Sequence, residues 1–102
     1  HPTFYDPCSL VVLEALACGL PVVTTRYNGA AELLSPPADG LVIDDPHDAA
    51  ALGAALAQMC DRGYRAAAAQ AARLAAGRWT FEHHYRALLE VFGEVRRTKR
   101  AA

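Results

Sequence analysis

The sequence predicts an α/β chain: a partial Rossmann-like unit with short parallel strands and flanking helices. Three observations carry this. Residues 10–18 form an apolar run of helix length. A Gly19-Leu20-Pro21 turn and a β-branched run, residues 22–25, follow at once. A second short apolar run, residues 41–43, precedes a long alanine-rich, helix-forming remainder. A helix joined this tightly to a buried strand makes half of a Rossmann-like unit.

The elements follow in order. Residues 1–5 read as the exit from a strand, and Pro2 argues against a full central strand there. His1 either reaches a ligand at the carboxyl end of that strand or is a bystander. Pro7 holds Asp6 extended in a loop, and Ser9 is a good N-cap. The helix that follows is apolar on nearly every face, so it is expected inside a protein. Glu14 interrupts it, and a carboxylate there is costly unless paired. Its partner is a ligand or a cation such as Arg26.

Gly19 is expected as the helix C-cap, and Pro21 blocks continuation. Residues 22–25 suit a buried parallel strand. Arg26-Tyr27-Asn28-Gly29 is a turn at that strand's end, and residues 30–34 read as a short helix carrying Glu32. Residues 35–40 are a loop and 41–43 a strand. Asp45 is expected to cap the next helix, with Pro46 at its first position and Asp48 in its first turn. Leu52, Leu56 and Met59 are its core face. Asp61 caps an alanine-rich helix with Tyr64 and Leu74 as its large apolar groups. Alanine buries little area, so this segment is expected to be the softest. Thr80 caps the last helix. There Phe81, Tyr85, Leu88, Phe92 and Val95 form one apolar stripe.

Composition narrows the function. The 102 residues carry a net charge of −1 and are 53% hydrophobic, which suits a small globular unit rather than a disordered one. The charge balance gives no case for nucleic acid. Arg96, Arg97, Lys99 and Arg100 read as a solvated, frayed end, with an anionic membrane surface as the weaker alternative. No apolar run of about 18 residues appears, so no membrane span is expected. Cys8, Cys18 and Cys60 form no Cys-x-x-Cys pair and are expected as reduced thiols. His83 and His84 are adjacent and cannot share a helix face as metal ligands. The chain opens on a motif without an initiator Met and is read as a fragment of a larger domain. Residues 1–46 are its motif-bearing β/α part and 47–102 its helical part. The broken sheet is expected to favour a dimer or swapped assembly.

Candidate chemistry centres on the first helix. Asp6 precedes it, and Glu14 lies inside it after seven intervening residues. Between them the helix start has unpaired N–H groups, at about Ser9, Leu10 and Val11, that can hold an anion. Two acceptors for hydroxyl groups therefore flank an anion site, a layout suited to ribose, pyrophosphate and sugar.

This stretch resembles the donor-binding segment of family-4 retaining glycosyltransferases of the GT-B fold. The matching residues are the acid pair Asp6 and Glu14 and the turn and strand Ala17-Cys18-Gly19-Leu20-Pro21-Val22-Val23. Asn28-Gly29-Ala30-Ala31-Glu32 and Asp39-Gly40-Leu41-Val42 match further on. Asp6 stands where the family usually has Glu, and Cys8-Ser9 replaces a common aromatic-Gly pair. The resemblance implies the second half of a GT-B C-terminal domain. It implies Asp6 as the catalytic-side residue that orients the donor sugar. Ser9, Leu10 and Val11 would bind diphosphate through backbone N–H groups, and Glu14 would bind the ribose. Arg26, Asn28, Gly29 and Glu32 are candidates for the donor side, although Arg26 equally suits a surface salt bridge and Glu32 a structural role. The implied partner is a UDP-, GDP- or ADP-linked sugar, with a glycan or lipid-linked acceptor and neither metal nor cofactor.

The resemblance further implies a cytoplasmic parent, peripheral to the inner membrane, with a separate N-terminal domain. The alanine and arginine content suggests a GC-rich bacterial source. The fragment alone is expected to be inactive. The alternative is a non-catalytic helical-strand interaction module, and a GT-B sugar epimerase ranks below both.

Overall fold

The computed structural model describes residues 1–101. Helix α1 (Leu10–Ala17) leads into strand β1 (Val22–Thr25). A 3₁₀ helix (Gly29–Leu33) and strand β2 (Gly40–Ile43) follow. Three helices complete the chain: α2 (Ala49–Cys60), α3 (Arg62–Ala76) and α4 (Phe81–Ala101).

The two strands pair in parallel, Val22 opposite Gly40 through Thr25 opposite Ile43. Side chains alternate across the pleat, and this splits the core in two. Val22 and Val42 face Val12, Leu16, Ala30, Leu34 and Ala72, from α1, the 3₁₀ turn and α3. Val23, Leu41 and Ile43 face Ala51, Leu52, Ala55 and Met59 of α2. Helices on both faces explain why all four residues of β1 are buried. The chain thus has the α/β architecture expected, with short parallel strands and flanking helices.

The N-terminal segment runs along β1 like a further parallel strand. The His1 nitrogen donates to Val23 O, Thr25 Oγ1 donates to Thr3 O, and Asp6 forms a parallel bridge with Asn28. The separation is 22 residues in the first two contacts and the same between Asp6 and Asn28, a constant register.

Several expectations are corrected. Helix α1 is not buried all round. Val12 and Leu16 are buried, whereas Leu10, Val11, Glu14, Ala17 and Cys18 form an exposed face. Gly19 lies one residue beyond the cap, which is Cys18. At φ 72° it closes the helix, its N–H donating to Leu16 O (2.9 Å) and that of Leu20 to Ala15 O (2.8 Å).

Asp45 does not cap α2. It accepts from the His47 N–H (2.9 Å) and lies 3.2 Å from His47 Nδ1 in a turn of its own. Asp48 is the cap, accepting from the Ala51 N–H (2.8 Å). Leu56 is exposed, and Ala55 takes the core position instead.

Helix α3, expected to be the softest, buries Ala68, Ala72 and Ala75, while Leu74 points to solvent. Small side chains let α3 lie close to α1, and the Arg73 side chain passes over Gly19. Arg65 closes the end of α2 by donating to Met59 O and Cys60 O (2.8 Å each). Helix α4, about 31 Å long by helix rise, buries none of its residues. Its stripe of Phe81, Tyr85, Leu88, Phe92 and Val95 is exposed.

Candidate functional site

The site is assembled around one buried amide. Asn28 is 0% exposed. Its Oδ1 accepts from the N–H groups of Ser9 (3.3 Å) and Ala30 (3.0 Å), and its Nδ2 donates to Thr24 Oγ1 (3.0 Å). One side chain thereby ties the start of α1, the 3₁₀ turn and the end of β1. The Asn-Gly pair, read from sequence as a turn signal, thus has a second role that spacing does not reveal.

The backbone completes the assembly. The Asp6 N–H donates to Tyr27 O (3.1 Å), and the Gly29 N–H to Asp6 O (2.8 Å). Gly29 permits this approach, because a Cβ there would strike the Pro7 carbonyl. Asp6 is thus presented at the mouth of α1. Its Oδ1 accepts from the Cys8 N–H (3.1 Å), and its Oδ2 lies 3.4 Å from His1 Nε2.

Ser9 sits at the N-cap position with extended backbone (φ −72°, ψ 111°), yet its hydroxyl makes no cap bond. It lies instead 3.2 Å from His1 Nε2. The Ser9 N–H, expected to be free for an anion, is occupied by Asn28. Leu10 and Val11 make no backbone N–H bond among the described residues, as the first turn of a helix requires.

Glu14 lies on the exposed face of α1, one turn beyond Leu10 and Val11. It has no ion-pair partner among the described residues; the pairs there are His1–Asp6, His47–Asp45 and Arg86–Glu82. The expected burial of this carboxylate is corrected, and with it the pairing to Arg26. Arg26 instead stands 5.8 Å from the centre of the Tyr27 ring. Both Arg26 and Glu32 are exposed. The structure therefore gathers His1, Asp6, Ser9, Asn28 and Gly29 at the start of α1, with Glu14 one turn along.

The family model described as "Glycosyl transferases group 1" matches residues 1–75. The chain belongs to the group 1 glycosyltransferases. Over 95 residues, 92% of this chain, it is 36% identical to D-inositol 3-phosphate glycosyltransferase of Salinispora arenicola, covering 21% of that protein. A 56-residue stretch, 55% of this chain, is 46% identical to probable sucrose-phosphate synthase 5 of Oryza sativa subsp. japonica, covering 5% of that protein.

The solved sucrose-phosphate synthase of Thermosynechococcus elongatus superposes with a TM-score of 0.74 at 28% identity. That match covers 98% of this chain and 24% of the other. This group 1 chain therefore has the architecture of part of a GT-B C-terminal domain, and it spans about a fifth of the length of the inositol phosphate relative. No helix among the described residues is long and apolar enough to cross a membrane.

Proposed function

We propose that this chain is the donor-binding part of a retaining glycosyltransferase that moves a sugar from a nucleoside diphosphate to a glycan or lipid-linked acceptor. One observation carries the reading: the open N–H groups of Leu10 and Val11 lie between Asp6 and the unpaired, exposed Glu14. In this reading the diphosphate meets the start of α1, where N–H groups and the helix dipole favour negative charge. Glu14 accepts from the ribose hydroxyls, and Asp6 orients the sugar. As the sugar leaves, charge grows on the diphosphate, and fixed N–H donors stabilise that charge without reorganising. The remaining wall of the site and the acceptor domain belong to the parent protein, so transfer by these residues alone is not expected. Arg26 and Glu32 are proposed to act at the rim of the donor site.

The test is an NMR titration of the chain with UDP, GDP, ADP and their glucose and mannose conjugates. Shifts centred on residues 9–14 with one nucleotide support the reading and name the base. Glu14→Ala is expected to weaken that binding several-fold while changing stability by less than about 0.5 kcal/mol, as for an exposed group. A destabilised variant with unchanged binding would give Glu14 a structural role instead. The exposed stripe of α4 supports the second reading, a non-catalytic interaction module. That reading predicts no shift at residues 9–14 with any nucleotide.

A further inference from the structure

We infer that α4 is a self-association surface: two copies of this chain pack their α4 helices antiparallel, apolar stripe against apolar stripe. The inference stands apart from the donor-site reading, because α4 carries none of the residues of that site.

Helix α4 lacks what usually holds a helix in place. Helices in proteins draw most of their stability from packing of an apolar face, and no residue of α4 is buried. The stripe of Phe81, Tyr85, Leu88, Phe92 and Val95 advances in steps of four and three, the spacing of a coiled-coil seam. Leu89 and Val91, both exposed, widen it on either side. Taking about 200 Å² for each aromatic side chain, Phe81, Tyr85 and Phe92 at 90%, 58% and 60% exposure present about 400 Å². That is half of the about 800 Å² per partner of a standard interface, before the aliphatic residues are added.

Charge decides the occupant and its direction. The first half of α4 carries Glu82, Arg86 and Glu90, whereas Arg96, Arg97, Lys99 and Arg100 crowd its end. A parallel pair would stack the two basic ends. An antiparallel pair sets each basic end beside the more acidic start of the other copy and opposes the helix dipoles. Under a two-fold axis every such contact occurs twice. With Leu88 against Phe92 of the second copy, Tyr85 falls opposite Val95, and Phe81 falls opposite Lys99, whose cation suits the ring face. Bordering the stripe, Glu82, Leu89 and Arg96 follow one another at seven-residue steps. Reversed onto itself, this series puts Glu82 beside Arg96 and Leu89 beside Leu89. Glu82 already meets Arg86 of its own helix at 2.8 Å through Oε1, which leaves Oε2 for Arg96. An anionic lipid surface fits less well, because Glu82 borders the face that would enter it.

Sedimentation equilibrium of the 102-residue chain, from about 5 to about 500 µM, tests this against an expected dissociation constant on the order of 100 µM, as suits a patch below standard size. The average mass is expected to climb from 10.9 kDa towards twice that value, while dilute samples stay monomeric. Phe92→Ser is expected to abolish the climb and to leave the amide spectrum of residues 1–76 unchanged. Glu82→Arg and Arg96→Glu each set like charges together twice, so each is expected to weaken association about tenfold, and the double variant is expected to return to within about twofold of wild type. A mass of 10.9 kDa at every concentration overturns the inference. So does a dimer that survives Phe92→Ser, which places the contact elsewhere. Charge reversals that fail to compensate one another overturn the antiparallel pairing. Capture of a monomeric chain by phosphatidylglycerol vesicles overturns the inference in favour of a lipid surface.

Discussion

The start of α1 and the whole of α4 are opposite solutions to one problem. Around α1 the buried groups include polar ones. Asn28, Thr24 and Thr25 are each 0% exposed, and their side chains bond to partners about 20 residues away. In α4 the apolar groups are the exposed ones, Phe81 at 90% and Phe92 at 60%. The first region is held by bonds within the chain, and the second presents a surface for which the described residues offer no partner. Amphipathic spacing is thus sufficient to make a helix but not to bury it. A buried polar group persists where partners satisfy it.

The sharpest way to break this contrast is Asn28→Ala. It strands the N–H groups of Ser9 and Ala30 and removes the donor to Thr24 Oγ1, which keeps its own bond to His1 O. With buried orphans costing about 1–3 kcal/mol each, a loss of about 4 kcal/mol is expected in a urea melt. A loss below about 1 kcal/mol would show that the polar knot does not hold this half.

Next comes a pair of truncations. Leu16→Ala empties a fully buried site and should cost about 3 kcal/mol. Phe92→Ala, on the exposed stripe, should cost less than about 0.5 kcal/mol. Similar losses would mean that α4 is covered in solution by another molecule. Repeating the melts at two protein concentrations identifies a second copy as that cover.

The smallest effect sharpens the middle of the chain. The Asp45 carboxyl is held below its ordinary value of 3.8 by the His47 backbone hydrogen bond and then by the His47 side chain. Its pKa is depressed in the folded state, so any stabilisation is present above 3.8 and is lost as pH falls through the lower folded value. A carboxyl-carbon titration should place the Asp45 midpoint below 3.8, and a midpoint at or above it would remove that turn from the account.

Particular residues show how much was legible. The run 10–18, the Gly19-Leu20-Pro21 break and the β-branched residues 22–25 each matched an element to within a residue, because helix and strand signals are local. The entry to α2 was misplaced because Asp45 and Asp48 both suit an N-cap. The Asp45–His47 turn settles the competition in favour of Asp48, and spacing alone does not rank the two. Glu14 was expected to be buried because its neighbours are apolar. Composition describes a helix's surface, however, and not which face meets a partner. Of the site residues, Asp6 and Glu14 stood out by their spacing around a helix start. His1 carried a weak signal, and the structural role of Asn28 carried none.

The sequence by itself determined the α/β class, the order of the elements and the family, because each rests on contacts between residues a few positions apart or on a contiguous motif. Only the tertiary structure decided that Ser9 turns to His1 rather than capping its helix and that Asn28 takes the Ser9 N–H. It also decided that α3 approaches α1 through alanines and that α4 is left uncovered. These outcomes depend on residues far apart in sequence meeting in space, and the polar contacts at the start of α1 form beside a parallel register offset by 22 residues. Local periodicity has a reach of about four residues and does not encode that register.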